Sequence, residues 1–162
     1  MTKLTDFLSN QGYQKIKLKK INTNHFEIKA KVNKVKGNFI LDTWASNSCV
    51  GFDTIDNLSL DAESTDQKAS GAGATNLETK LAKNNLIQIG KYKQSKVNLV
   101  LIDLSHINEA LVSQNADPVT GIIGADILFK GKAIIDYDKK YLYLKNKTEK
   151  NKWWARKIIA II

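Results

Sequence analysis

The chain is poor in cysteine, proline and arginine, and these shortages limit what it can be. It has one cysteine, Cys49, and one proline in 162 residues. A single thiol cannot close an internal disulfide, so oxidation does not hold the fold together. Only Arg156 among the 25 basic residues is an arginine, so the net charge of +9 rests on lysine.

The lysines are spread along the chain and mostly alternate with apolar residues, as in KIKLKK and FEIKAKVNKVK. Such alternation places lysines on the solvent side of strands. A nucleic-acid surface more often clusters its charge and interleaves arginine and aromatic residues. We therefore interpret the lysines as solvated faces and predict no nucleic-acid partner. A basic β-domain that binds nucleic acid or anionic membrane is the alternative from another class.

Long hydrophobic runs are also missing. No segment approaches the roughly 20 apolar residues that cross a bilayer, and the start MTKLTDFLSNQGY does not read as a signal peptide. We expect a cytoplasmic protein. The length favours a single domain, placed at residues 1–147 with an N-terminal helix within 1–12. A polar linker and the segment WWARKIIAII form a separate tail at 148–162, for which we consider a dimer or packing role, a membrane-surface anchor, or no role.

Hydrophobic periodicity predicts mostly antiparallel β-structure with two or three short helices. Phe26, Ile28, Ala30 and Val32 alternate with polar residues, and NKVKG at 33–37 predicts a hairpin turn before a more buried strand ending at Leu41. Further strands are predicted at 84–90 and 96–104. Residues 121–129 predict a short buried strand followed by a helical turn after Gly124, and a last hairpin at 132–145 turns at 138–140. Residues 105–114 have helical spacing with Ser105 placed as N-cap. Turn spacing is typical of a sandwich or small barrel.

Asp42 follows the apolar run Phe39-Ile40-Leu41 and opens a turn of small polar residues. A carboxylate in that place is costly unless its surroundings satisfy it. An Asx-turn at the strand end is the structural explanation. A reactive carboxylate presented by the turn is the functional one, and Asp42 alone does not decide between them.

The wider pattern resembles a known family. The stretch FILDTWAS (39–46) is similar to the Asp-Thr-Gly-Ala-Ser signature of aspartic proteases with its preceding apolar strand. Three further segments resemble parts of the retropepsin-like, single-lobe branch, in its bacterial form. GIIGADIL (121–128) resembles the element beneath the active-site loop, SGAGA (70–74) the flap, and AIIDY with YLYL (133–144) the closing hairpin. The four segments follow the family's order, and the resemblance extends over roughly residues 25–145, most of the chain.

This resemblance implies an all-β, mainly antiparallel fold closed into a barrel, and an aspartic endopeptidase activity. In that family the signature aspartate, here Asp42, is one half of a pair of carboxylates that share a proton and activate a water. A chain with one signature builds this pair across a homodimer. The implied partners are a second copy and a peptide or protein substrate, with no cofactor and no metal.

The resemblance also implies a role for each matching residue. The residues implied to support the active-site loop are Thr43, Trp44, Ala45 and Ser46. The flap over the substrate would contain Ser70, Gly71, Ala72, Gly73 and Ala74. The element packed beneath the loop would contain Ile122, Ile123 and Gly124.

Trp44 departs from the family, which has glycine at this position so that the backbone can approach closely. Three interpretations stay open. The indole is an inactivating or adapting substitution on a protease, the chain is a catalytically impaired relative that binds peptides or serves as an interaction module, or the resemblance is accidental.

Other titratable residues have simpler explanations. We interpret Asp126 as a helix cap or a partner of nearby backbone rather than a second catalytic carboxylate. His25 and His106 lack carboxylates at ligand spacing, so we expect no metal site. Cys49 has no cationic neighbour in sequence and is expected to be a small buried apolar residue.

Overall fold

The structure is a computed structural model that describes residues 3–65, 69–71 and 74–146. The tail predicted at 148–162 lies outside the described residues, and so do Ala72 and Gly73 of the predicted flap. Among the described residues, no helix is long and apolar enough to cross a membrane.

The helices of the described chain are α1 (Leu4–Asn10), α2 (Ser105–Ser113) and α3 (Ala125–Lys130), with a short 3-10 helix at Phe52–Thr54. The strands are β1 (Tyr13–Lys17), β2 (Lys19–Lys20), β3 (Phe26–Val32), β4 (Val35–Leu41), β5 (Cys49–Gly51), β6 (Ala62–Ser64), β7 (Ala69–Gly71), β8 (Ala74–Leu77), β9 (Lys80–Ile89), β10 (Tyr92–Ile102), β11 (Gly121–Ile123), β12 (Ile134–Asp136) and β13 (Tyr141–Lys145). The predicted class, mostly β with short helices, is confirmed.

Six strands close into a barrel in the order β3, β4, β11, β5, β10 and β9. The ring closes where β3 pairs with β9, with Lys31 opposite Gln88 and Val32 opposite Ile87. Most pairings are antiparallel, but β11 runs parallel to β4 and β5 runs parallel to β10. The expected closed barrel is therefore confirmed.

Alternation along β3 explains how the barrel is filled. Phe26, Ile28, Ala30 and Val32 are buried in the core, because successive side chains of a strand point to opposite faces. The hairpin to β4 is tighter than the predicted 33–37. It turns on Asn33 and Lys34, whose φ values of 48° and 76° fit a two-residue turn of the type that matches strand twist.

A second, smaller apolar cluster covers part of the outer face of the barrel. It joins Ile40 and Ile122 on the strands to Leu111 and Ile107 of α2. The predicted N-cap role of Ser105 is wrong. Ser105 is the first helical residue, and its backbone N–H and hydroxyl both donate to Asp103 Oδ1. The acceptor that orders this helix start is therefore the carboxylate two residues earlier.

A separate three-stranded sheet has the order β1, β13 and β12, so it joins the first strand of the chain to the last two described strands. Its hairpin turns between Asp136 and Tyr141 as predicted. The turn is held by Asp136, whose Oδ1 accepts from the backbone N–H of Lys139 at 2.8 Å. Asp138, within the turn, contacts the Lys139 ammonium at 2.7 Å. That hydrogen bond lowers the pKa of Asp138.

Candidate active site

Asp42 lies immediately after the last residue of β4, at the start of an irregular loop that runs to β5. Its backbone N–H donates to the carbonyl of Ile123 at 3.0 Å. This bond continues the parallel pairing of β4 with β11 by one residue. The position of Asp42 is thus fixed by the sheet, although its side chain is only half-buried.

The carboxylate is oriented by its own loop. Its Oδ1 accepts a hydrogen bond from the backbone N–H of Trp44 at 2.8 Å. This is the Asx-turn that the sequence suggested as the structural explanation. No described residue donates to the second oxygen, Oδ2, which is left for water or a partner. Asp42 can therefore form the Asx-turn with one carboxylate oxygen and still present the other for reaction.

The far end of the loop is held by the backbone of Gly124, at the junction of β11 and α3, and by the half-buried Asp126 of α3. Ser48 is fully buried, and its backbone N–H and hydroxyl donate to Asp126 Oδ1 at 2.9 and 2.7 Å. The backbone N–H of Gly124 donates to Ser48 Oγ at 2.9 Å. Asp126 therefore makes no cap at its own helix, where no side-chain cap bond is present. It binds the loop instead.

The middle of the loop rests on the same junction. The carbonyl of Ala45 accepts from the backbone N–H of Ala125 at 2.8 Å. A Cβ on Gly124 would lie 2.6 Å from that carbonyl oxygen and 2.9 Å from the carbonyl carbon of Asn47. Only glycine lets the two backbones meet at this distance. Ile123, Gly124 and α3 thus form the floor on which residues 42–48 lie.

The remaining loop residues predicted for the site differ in exposure. Thr43 and Ser46 are exposed, and Ala45 is half-buried. The Trp44 side chain is 94% exposed, so it fills no part of the core. Ile122 lies on the opposite side of β11 from the loop floor, packed in the outer cluster with Ile40.

The described residues of the predicted flap, Ser70, Gly71 and Ala74, lie on a separate pair of strands. β7 and β8 pair with each other, with Ala69 opposite Leu77 and Gly71 opposite Ala74. The hairpin connects β6 to β9, which also pair with each other. Ser70 lies on β7, while Ala72 and Gly73 at the expected tip fall outside the described residues.

Cys49 is buried behind the loop, as predicted. Burial raises the pKa of its thiol to about 12, and the nearby charges of Asp126 and Asp42 also act in that direction. The thiolate is thus strongly disfavoured, which argues against Cys49 as a nucleophile. Among the described residues, no three His, Cys, Asp or Glu side chains group closely enough to hold a metal ion.

The sequence directed attention to Asp42 and Gly124 but did not indicate the role of Ser48. The signal that could have found it is weak. A serine between a polar turn and a buried strand resembles any other turn residue. Its partner Asp126 lies 78 positions away, and that separation hides the pair from local patterns.

The model of the aspartyl protease family matches residues 28–127. This is more than half of the chain and includes Asp42, β11 and the start of α3 as far as Ile127. The protein therefore belongs to the aspartyl protease family, and this membership supports a general aspartic protease function.

Two solved structures have the same fold. A retropepsin-like aspartic protease from Rickettsia conorii is 22% identical, covers 83% of this chain and 92% of its own, and has a TM-score of 0.56. The EIAV protease complexed with the inhibitor HBY-793 is 21% identical, covers 68% of this chain and 90% of its own, and has a TM-score of 0.51. The fold is retropepsin-like. None of the curated proteins compared with this chain matches it.

Proposed function

We propose that the protein is an aspartic endopeptidase whose active site forms when two copies bring their Asp42 carboxylates together. The observation that carries this proposal is the setting of Asp42. Its backbone N–H is bonded to Ile123 and its Oδ1 to the N–H of Trp44, while no described residue occupies Oδ2. This carboxylate is held in place and still accessible at the position of the family signature.

A second carboxylate is needed for the chemistry. Two carboxylates about 3 Å apart cannot both ionise, so the pair retains one proton. The charged member takes a proton from a water, and the oxygen of that water attacks the carbonyl carbon of the peptide bond. The protonated member gives its proton to the carbonyl oxygen. The carboxyl that took the water's proton then gives it to the leaving nitrogen, and the other carboxylate takes a proton from a hydroxyl of the tetrahedral intermediate. The C–N bond breaks, an amine and a carboxylic acid are released, and the pair again holds one proton.

A homodimer supplies the second carboxylate because the chain carries one Asp-Thr signature. A two-fold axis beside the loop would place Asp42 against its copy. Thr43 is exposed next to Asp42, where its hydroxyl is free to bond across this axis. The tail at 148–162 is a candidate second contact between copies. A single domain at 1–147 and a cytoplasmic location stay predictions.

The proposed substrate is a polypeptide that is recognised through its own backbone. We expect an extended polypeptide to lie across the two loops and to hydrogen-bond as an added strand, as in β-augmentation. The hairpin of β7 and β8 would close over it, with Ser70 to Ala74 as the contacting segment. Its small side chains would let backbone approach backbone.

The decisive experiment is cleavage of an unfolded protein substrate by wild type and by Asp42→Asn, between pH 4 and 7. We expect wild type to cleave and Asp42→Asn to lose at least roughly a thousandfold in kcat, because the pair no longer has its general base. Asp56→Asn, which changes an exposed carboxylate elsewhere, is the matched control and should be unaffected. Sedimentation should show a dimer for all three proteins. Cleavage by Asp42→Asn at the wild-type rate, or full activity of a monomer, would refute the proposal.

A catalytically impaired, peptide-binding relative is the second candidate, and Trp44 favours it. The indole is 94% exposed, two residues from Asp42, so two copies would bring two large rings to the axis. Trp44→Gly separates the candidates. Activity in wild type supports the endopeptidase. An inert wild type, together with cleavage by Trp44→Gly, supports the impaired relative.

A further inference from the structure

Three lysines and one glutamine form a row across four adjacent strands of the barrel. Lys36 on β4 is directly opposite Lys31 on β3. Lys31 is in turn opposite Gln88 on β9, and Gln88 is opposite Lys93 on β10. Residues directly opposite each other project from the same face of a sheet, and neighbouring strands lie about 5 Å apart. The row therefore runs across the outer face of the barrel.

The row borders an open groove of about 650 Å³. Its polar lining consists of Lys29, Lys31, Lys36, Asn38, Gln88 and Thr120. The lining includes no acidic residue and no aromatic residue. The groove thus offers three ammonium groups, two amides and a hydroxyl around one concave space, a set that suits carboxylate or phosphate oxygens.

The positive charge in the groove is not compensated by the described part of the chain. Lys29, Lys31 and Lys36 form no ion pair with any described residue, whereas Lys19, Lys83 and Lys139 do. Like charges directly opposite on paired strands destabilise a sheet. The nearest acid along this face of β3 is Glu27, which is 3% exposed and contacts Lys19 at 3.6 Å. An anion in the groove would relieve this repulsion.

We infer that this groove binds an acidic segment of another polypeptide. The missing aromatic residues remove the stacking surface that single-stranded nucleic acids use. The missing arginine removes the planar, bidentate donor that phosphate and base recognition favour. The concave shape does not match a flat membrane. Lysine ammonium groups with interspersed amides fit a series of carboxylates presented by an extended peptide.

This inference goes beyond the proposed protease activity and does not depend on it. Asn38 lies on β4 four residues before Asp42, which follows the end of that strand, and this corresponds to about 13 Å at the usual rise per residue. Lys36 is about 20 Å away by the same measure. The groove is thus separate from the carboxylate pair, and binding to it is measurable without catalysis.

The test uses a fluorescently labelled peptide of eight glutamates as the probe, with an eight-glutamine peptide as its neutral control. The groove variant is Lys29→Gln, Lys31→Gln and Lys36→Gln combined. The matched control variant is Lys17→Gln, Lys20→Gln and Lys130→Gln, which removes the same charge from exposed lysines outside the groove. We expect the groove variant to bind the glutamate peptide about tenfold or more weakly than wild type, because three charge contacts are lost. The control variant and Asp42→Asn should bind as wild type.

A measurement on wild type alone covers the case in which the groove variant does not fold. Titration with the glutamate peptide should shift the backbone amide NMR signals of residues 29–31, 36–38 and 88 before others, and salt should reverse the shifts. Equal weakening in the two triple variants, no binding to wild type, or shifts located elsewhere would overturn the inference. Tighter binding of a single-stranded oligonucleotide than of the glutamate peptide, lost in the groove variant, would assign the groove to nucleic acid and also overturn it.

Discussion

Ser48 and Asp126 lie 78 positions apart in the sequence and are joined through one carboxylate oxygen. Asp126 Oδ1 accepts both the backbone N–H and the hydroxyl of Ser48, and Ser48 Oγ accepts the N–H of Gly124. The loop that begins at Asp42 is therefore fixed at its far end by the half-buried carboxylate of Asp126 from α3. The geometry of the candidate site depends on this carboxylate even though Asp126 is not itself expected to touch substrate.

Removal of this carboxylate should destabilise the protein. We expect Asp126→Ala to lower the free energy of unfolding by about 2–3 kcal/mol, because two donors of the fully buried Ser48 lose their acceptor. Asp126→Asn retains one acceptor oxygen and should cost less. Urea unfolding followed by circular dichroism measures both. An Asp126→Ala protein as stable as wild type would contradict the importance of this contact.

Gly124 should not tolerate a side chain. A Cβ there would lie 2.6 Å from the backbone oxygen of Ala45, and we expect Gly124→Ala to cost about 1–3 kcal/mol through displaced backbone. Gly51→Ala is the matched control. Its Cβ would meet mainly the carboxylate of Asp53, an exposed side chain that can move away. Thermal unfolding of the two variants should rank Gly124→Ala clearly lower, and equal melting temperatures would count against the close backbone approach.

The thiol of Cys49 should be inert in the folded protein. Burial raises its pKa from the ordinary value of 9.0 to about 12, so the folded state keeps a proton that the unfolded chain releases. Its contribution to stability is complete below about pH 9 and is lost as the pH rises towards 12. At pH 8 a disulfide reagent such as DTNB should react at least roughly a hundredfold more slowly with native than with urea-unfolded protein. Similar rates in the two states would show that the thiol is accessible.

A second variant is needed to assign the pH dependence of the unfolding free energy to Cys49, because Tyr92 titrates in the same pH range. Burial raises the pKa of Tyr92 to about 12, and Asp126 adds to this effect. In a Tyr92→Phe background, Cys49→Ala should reduce the fall in unfolding free energy between pH 9 and 11. If Cys49→Ala leaves the fall in unfolding free energy unchanged, the loss of stability at high pH comes from other groups.

Apolar substitution of Lys19 should lower the stability of the protein, whereas apolar substitution of Glu27 should not. Glu27 is 3% exposed, its Oε1 lies 3.6 Å from Lys19 Nζ, and Oε2 has no hydrogen-bond partner among the described residues. Lys19→Met leaves the charge buried without its cation and should cost about 1–2 kcal/mol. Glu27→Met removes a charge that is poorly satisfied and should be neutral or stabilising. Denaturant midpoints measure both, and a large loss in Glu27→Met would show that the carboxylate has a partner of its own.

The sequence predicted those parts of the fold that depend on local alternation. Phe26 to Val32 face inward on every second residue, and this pattern is visible without a structure because one face of the strand meets solvent. The hydrophobic pattern also located β4, β11 and the helical turn after Gly124. Asp42 was singled out because an apolar run ends there at a carboxylate and because FILDTWAS resembles the aspartic protease signature. Its catalytic role stays a prediction.

The parts that were not predicted depend on contacts between distant residues. The partner of Ser48 lies on another element, and the acceptor at the start of α2 is Asp103 rather than the Ser105 hydroxyl. The lysine row is visible in the sequence only as ordinary alternation. Strand register makes Lys31 and Lys36 opposite neighbours, and register between separate segments is set by the barrel as a whole.

The position of β11 has a consequence for how the protein is made. β11 is inserted between β4 and β5, although only residues 42–48 separate those two strands in the chain. A ribosome that has released the first hundred residues has therefore exposed two strand edges whose shared neighbour has not yet been synthesised. Barrel closure has to wait for the last third of the chain. In that interval the nascent polypeptide is vulnerable to mispairing with other chains, and chaperone binding to β4 and β5 would protect it.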